Sequence, residues 1–217
     1  MDEEALYDAG DFGSWISNRL DPIAARDVAV ACGTCTTCCT TFEGISIAHD
    51  ETETLAAISS FHLRADNRAA NGAKILIANP DRTCPMLVRG ACSIYSVRPR
   101  ACRAFDCRSL AAADLIDTEG PGAALGSRAD QWVFTYDEDA KMRQLAVLDA
   151  VEFIHRHGVA FRSRGFTYEP TVTATQAIQI HELFLGGKPE TEAEEAKLLA
   201  EAIGILRHFA NLSFARR

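Results

Sequence analysis

The stretch Cys32-Gly-Thr-Cys35-Thr-Thr-Cys38-Cys39, followed at a distance by Cys84-Pro and then Cys92, Cys102 and Cys107, decides how this chain is read. All eight cysteines of the 217 residues fall in these two groups. A Cys-x-x-Cys turn delivers two sulfurs from one short piece of backbone, as an ion held by thiolates at about 2.3 Å requires. Eight thiols so placed are read as metal ligands, and Cys32, Cys35, Cys38, Cys39, Cys84, Cys92, Cys102 and Cys107 form the candidate ligand set.

A disulfide framework is the competing reading, and it suits small secreted chains with thin cores. Here 47% of the residues are hydrophobic, enough for an ordinary core. The opening Met1-Asp2-Glu3-Glu4-Ala5-Leu6-Tyr7-Asp8 has neither the basic start nor the apolar run of a secretory signal. The expectation is a reducing, cytoplasmic compartment. No apolar run approaches the roughly 20 residues that span a bilayer, so no membrane role is expected.

The formal net charge of −8 argues against general nucleic-acid binding. One segment reverses the sign. Between Arg82 and Arg108 six arginines face a single acid, Asp106, for a net charge of +5, and this segment carries the second cysteine group. Nearby cations favour thiolate over thiol and would prime the sulfurs for metal. The same arginines also fit a solvated face, or an anion or nucleotide-phosphate site beside the metal.

Working outward, the pattern predicts a single domain over 1–217, with a cysteine-cluster region at 30–110 and a helical scaffold at 111–217. The fold class expected is mainly α, with a small irregular and β-hairpin cysteine-rich lobe, that is α+β. Apolar spacing predicts a helix from Trp15 to Ala31 and another over about 51–67, the latter with Leu55, Ile58 and Phe61 on one face. Gly33 and the threonines at 34, 36, 37 and 40 predict an irregular loop over Cys32 to Cys39. Phe42 to Ala48 reads as a short strand. Lys74 to Ala78 and Cys84 to Val88 read as a hairpin, Gly90 as a further turn, and Ser96-Val-Arg-Pro99 as the start of a helix holding Cys102.

Cys102 and Cys107 lie five residues apart, 140° around a regular helix, so either the helix breaks between them or they serve different sites. Further on, Met142, Leu145, Leu148, Val151 and Ile154 form an apolar stripe closed by Gly158. Thr173-Ala-Thr-Gln176 and Thr191-Glu-Ala-Glu194 carry the pattern of a threonine cap answered from N3. No histidine lies inside the cysteine groups. His155 and His157 read as C-terminal capping residues, His181 and His208 as residues of amphipathic helices, and His49 as the best histidine candidate for a ligand.

Cys32-x2-Cys35-x2-Cys38-Cys39, Cys84-Pro-Met-Leu, Gly90-Ala-Cys92-Ser-Ile-Tyr95 and Arg98-Pro99-x2-Cys102-Arg103-x-Phe105-x-Cys107 together resemble the YkgJ-type cysteine-cluster family, described as zinc- or iron-chelating proteins. The resemblance covers roughly residues 30–110 and implies a metal or iron-sulfur protein. A flagellin lysine methylase carries a similar cluster, but this chain is shorter and lacks a glycine fingerprint for a methyl-donor nucleotide.

Cys32, Cys35, Cys38 and Cys84-Pro match the ligand order of a ferredoxin-like 4Fe-4S cluster, which would leave Cys39, Cys92, Cys102 and Cys107 for a second centre if Cys38 and Cys39 point apart. Two tetrahedral zinc sites would use the same eight thiols. Tyr95, Arg98 and Arg103 could line a pocket, or Tyr95 could pack over the cluster while the arginines bond loop carbonyls. Three roles stay open: a metal-binding or iron-sulfur module with a structural, redox or sensing centre; an enzyme modifying a protein side chain; and a zinc-stabilised interaction module for a protein partner.

Overall fold

The chain runs from a strand and helix into a cysteine-bearing region and then returns to a helical body. The computed structural model describes residues 6–214 apart from 22, 29, 31–33 and 67–71. It is mainly helical with small sheets. Two compact units emerge: one comprises Met1–Ala25, Cys107–Asp117 and Gly126–Arg216, the other Arg26–Asp106 and Thr118–Leu125.

The chain begins with β1 (Tyr7–Asp11) and α1 (Phe12–Leu20). Asp11 caps α1, its carboxylate accepting from Ser14 N at 2.7 Å. The helix therefore starts before Trp15 and stops at Leu20, well short of Ala31. Asp21 is extended, as a residue preceding proline prefers, and its N–H donates to Ser17 O, so the helix ends there; Pro22 itself lies outside the described residues.

The cysteine-bearing unit follows. It holds α2 (Thr37–Thr40), β2 (Ile45–Ile47), α3 (Thr52–Ala57), β3 (Leu63–Ala65), β4 (Lys74–Leu76), β5 (Leu87–Val88), β6 (Ala91–Cys92) and α4 (Arg100–Ala104). The loop expected at Cys32 to Cys39 ends in the single turn α2; Cys32 itself lies outside the described residues. The helix expected over 51–67 stops after α3. Ile58 turns extended, Ser59 Oγ accepts from Phe61 N at 3.4 Å to open a 3-10 turn, and β3 pairs with β4, Leu63 opposite Leu76. Long-range pairing overrides the local helical pattern here, leaving Ile58 buried and Phe61 80% exposed.

The sheet order is β2-β4-β3, antiparallel throughout. The expected hairpin joining 74–78 to 84–88 is thus replaced by two separate pairings. Lys74–Leu76 lies between β2 and β3, while β5 pairs with β6 through a two-residue turn at Arg89 (φ 51°) and Gly90 (φ 78°). Both turn residues are left-handed, as a tight hairpin with the twist of its strands requires. The turn sets Cys92 opposite Leu87.

The helical unit resumes with α5 (Arg108–Ala112), α6 (Ala123–Asp130), β7 (Trp132–Thr135), α7 (Glu138–Arg156), α8 (Gly158–Arg162), α9 (Pro170–Ile180) and α10 (Glu192–Phe214). β7 pairs in parallel with β1, Tyr7 opposite Trp132. Phe12, Ile16, Val147, Ile154, Phe161, Ile178 and Leu206 are among its most buried side chains, and Phe12 meets Phe134 edge-on at 5.2 Å.

The face α7 buries differs from the expected stripe. Met142 and Leu145 are 57% and 62% exposed, while Ala140, Ala146, Val147, Ala150, Val151, Phe153 and Ile154 are buried. Alanines carry little hydrophobic weight in a pattern, yet they allow the close helix approach that selects this face. Gly158 closes α7 for a packing reason. A Cβ there would lie 2.5 Å from the Tyr168 hydroxyl, which donates to Ile154 O.

α9 begins at Pro170, not Thr173, because proline suits the first turn; Thr173 is 1% exposed inside the helix. The Thr191 cap forms as expected. Glu194 N donates to Thr191 Oγ1 at 3.2 Å and Thr191 N to Glu194 Oε2 at 3.1 Å. Thr191→Ala should cost about 1 kcal/mol of helical-unit stability in urea unfolding, with the midpoint lowered and the slope unchanged.

His157 occupies the C-cap of α7, and its Nε2 lies 2.9 Å from Glu195 Oε1 of α10. His181 is fully buried. Its Nδ1 is 2.7 Å from Ile178 O and must donate there, so the ring is the neutral Nδ1–H tautomer. Burial lowers its pKa below 6.5. The unfolded chain then binds the extra proton between the folded value and about 6.5, so stability rises with pH through that window, by at most about 1.4 kcal/mol per pH unit. His181→Gln should flatten the slope of unfolding free energy against pH below 6.5.

Candidate metal centre

The first cysteine group is built by threonine chemistry. The Thr40 and Thr41 hydroxyls both donate to Thr37 O, at 3.1 and 2.9 Å, closing α2 on itself. The Cys35 thiol donates to Thr37 Oγ1 at 3.2 Å. Cys38 and Cys39 lie on this one turn, where each shifts the ionisation of the other. A single tight helical turn holds adjacent side chains close enough for that influence.

Backbone bonds carry the second group to the first. Cys84 N donates to Cys39 O at 2.7 Å and Phe42 N to Arg82 O at 2.8 Å. Cys84 is buried in an apolar cluster of Phe42, Ile47, Ile58, Leu76, Met86 and Ile94, with Cys39 and Cys92 packed against it. Ser93 N donates to Met86 O at 2.8 Å, fixing the strand that bears Cys92.

Cys102 sits on α4, which follows Pro99 as expected. Two side chains from the α3 region fasten this segment. Glu51 Oε2 accepts from Arg100 N at 2.6 Å, and the Thr54 hydroxyl donates to Val97 O at 2.7 Å. In the sequence Asp50-Glu-Thr-Glu53 reads as a helix cap, and nothing in the local pattern shows that Glu51 and Thr54 reach the segment bearing Cys102. Arg103 O accepts from Val28 N at 2.9 Å, tying in the chain that leads to the first cysteines.

Five thiols are thereby brought together. Charge on Cys84, Cys92 or Cys102 acts on Cys39, and charge on Cys38, Cys84 or Cys92 acts on Cys102. Among the described residues, no group of three or more His, Cys, Asp or Glu side chains is arranged to hold an ion.

Protonation follows burial and repulsion rather than the arginines. Burial, then the charges of neighbouring thiols, pushes Cys102 up to about 12, with Arg98 pulling weakly the other way. Burial raises Cys84. Cys38 is raised because its proton is held in the bond to Cys39, and Cys39 is lowered by accepting that bond. A metal entering this group must displace protons, so uptake releases acid and weakens as pH falls.

Three of the six arginines pair with acids of the same unit. Arg82 pairs with Glu43, Arg98 with Asp27 at 3.1 Å, and Arg100 with Asp50 and, at 3.4 Å, with Glu51. The +5 segment is thus largely offset by acids that precede it in sequence. Tyr95 is 65% exposed, with the Arg98 guanidinium 4.3 Å from its ring centroid, and Arg98 Nη1 donates to Tyr95 O at 3.3 Å. Arg98 does bond a loop carbonyl; Tyr95 is not buried over the thiols. His49 is exposed.

Cys107 belongs to the helical unit. The helix breaks after Ala104, and Cys107 stands before α5, buried, with the Trp132 indole N–H donating to its sulfur at 3.1 Å. Nothing in the local pattern announces that tryptophan partner, 25 residues away.

Residues 31–119 match the family model CxxCxxCC, described as a putative zinc- or iron-chelating domain. The match supports metal chelation by this part of the chain. No curated protein and no solved structure matches the chain. No described helix is long and apolar enough to cross a membrane.

Proposed function

From the zinc- or iron-chelating domain over residues 31–119, we propose that this protein holds one shared polythiolate centre, an iron-sulfur cluster, drawing on Cys38, Cys39, Cys84, Cys92 and Cys102 and on Cys32 and Cys35 of the first loop. The observation that carries this reading is that Cys39, Cys84 and Cys92 share one apolar cluster, Cys84 N donates to Cys39 O, and Cys39 and Cys102 each lie within electrostatic reach of three other thiols. A tetrahedral ion and a four-iron cluster alike take four thiolates, so four of these cysteines would ligate while the others line the centre. The donor set fits chemically, since thiolates are soft ligands that suit iron-sulfur clusters and zinc alike.

The spacing Cys-x2-Cys-x2-Cys with a remote Cys-Pro favours iron and sulfide over zinc, since it follows ferredoxin-like ligand order. Zinc remains the second reading, favoured by the same Cys-x2-Cys turns. The role consistent with either is a metal-binding module whose centre is redox-active, sensing or structural. Docking of an acidic partner on the arginine-rich segment is disfavoured, because Asp27, Glu43, Asp50 and Glu51 already meet those arginines.

The test is anaerobic purification with metal and acid-labile sulfide analysis and a visible spectrum. Iron with matching sulfide and a brown chromophore is the expected result. A colourless protein with stoichiometric zinc would replace the cluster by a zinc-thiolate centre, and absence of stoichiometric metal would refute chelation.

A further inference from the structure

The helix that bears Cys102 opens without a cap of its own. Pro99 holds the N-cap position of α4 and offers no side-chain acceptor, so the N–H of Arg100 must be met from elsewhere. It is met across 49 residues of sequence, by Glu51 Oε2 at 2.6 Å. The other oxygen, Oε1, accepts from Ala48 N at 3.1 Å and lies 3.4 Å from Arg100 Nε. Only 6% of the Glu51 side chain is exposed. A carboxylate so buried is costly unless its oxygens are met, and here both are.

One turn along, Thr54 on α3 is 5% exposed, and its hydroxyl donates to Val97 O at 2.7 Å. The two side chains thus grip the backbone at 97 and 100, on the approach to Cys102. Cys39, Cys84 and Cys92 are placed differently. They share one apolar cluster, and Cys84 N donates directly to Cys39 O. Cys102 lies outside that cluster. Its place among the other thiols depends on bonds from neighbouring segments to the chain on either side of it, those of Glu51 and Thr54 before it and that of Val28 N to Arg103 O after it.

We infer that Glu51, with Thr54 as its companion, is a positioning residue for the metal centre, setting Cys102 among the other thiols before metal arrives. The inference rests on the shared polythiolate reading above. A ligand already in place loses less conformational freedom when metal binds. Groups that orient ligands without touching the metal typically govern its affinity by about 10–100-fold. Glutamine cannot fully replace the carboxylate, because one of its two terminal atoms is an NH2 group that would face the backbone N–H of Ala48 or of Arg100.

Competition of the full-length, zinc-loaded chain against a zinc chelator, with thiols kept reduced, tests it. Zinc is the probe because it binds thiolates whether or not the resident centre contains iron. Glu51→Gln is expected to weaken zinc binding about ten-fold or more. Thr54→Val should weaken it by a smaller factor, while Thr54→Ser, which keeps the hydroxyl, should match the unaltered chain. This pair decides the matter if Glu51→Gln fails to fold. Ser59→Ala removes the acceptor of Phe61 N, a bond of the same unit that does not involve residues 97–102, and should leave affinity unchanged. That contrast separates placement of Cys102 from a general loss of stability. Zinc held by Glu51→Gln and Thr54→Val as tightly as by the unaltered chain, or weakened equally by Ser59→Ala, would overturn the inference and leave the thiolate centre standing. An unaltered chain that binds no zinc would overturn the thiolate reading and this inference with it.

Discussion

Cys102→Ser is expected to strip most of the metal from the whole protein, not half of it. Cys102 lies outside the apolar cluster, so the change removes a ligand without emptying that core. Its sulfur interacts with Cys38, Cys84 and Cys92 at once, and Cys39 in turn feels Cys102, so no subset of the five is independent of it. A serine hydroxyl ionises far less readily than a thiol and is a poor ligand for a soft metal. Cys84→Ser should behave alike, with added destabilisation from a hydroxyl placed in the apolar cluster. Cys107→Ser is the contrast: its sulfur accepts from Trp132 within the helical unit, and metal content should be retained. Metal-to-protein ratios of the three variants check this, and a half-loaded Cys102→Ser protein would restore a two-centre division.

Gly126→Ala should destabilise the helical unit more than any surface change considered above. A Cβ on Gly126 would lie 1.8 Å from Asp117 O and 2.6 Å from Asp117 C. Both are backbone atoms, so no side-chain rotation relieves the overlap. Either α6 or the segment at Asp117 must shift. Overpacking a well-filled interior costs about 1–3 kcal/mol, and a backbone clash belongs at or above the upper end of that range. Urea unfolding followed by far-ultraviolet circular dichroism measures the loss. Stability within about 0.5 kcal/mol of the parent, the usual limit for neutral surface changes, would show that the chain passes α6 with more room than this.

What the sequence disclosed was local chemistry. The short strand at Ile45–Ile47, the turn at Gly90, the helix after Pro99 and the reciprocal Thr191–Glu194 cap all depend on residues within a few positions of one another. So does the clustering of thiols into two groups, which the family match over residues 31–119 supports as a chelating region.

The features that stayed hidden depend on distant partners. The helical pattern after Thr52 yields to a strand because β4 is there to pair with it. Which face α7 buries was decided by alanines and by the helices packed on it, so Met142 and Leu145, the residues with the stronger hydrophobic signal, lie outside. The arginine-rich segment read as a cationic environment for thiolates, yet its charge is met by acids 39 to 71 residues away.

X-ray absorption at the metal edge of the purified protein tests the central claim most directly. A first shell composed of sulfur at about 2.3 Å, lost on Cys102→Ser substitution, is the predicted result. A shell dominated by nitrogen or oxygen, or an all-sulfur shell unchanged in the Cys102→Ser protein, would contradict a centre built on these five thiols.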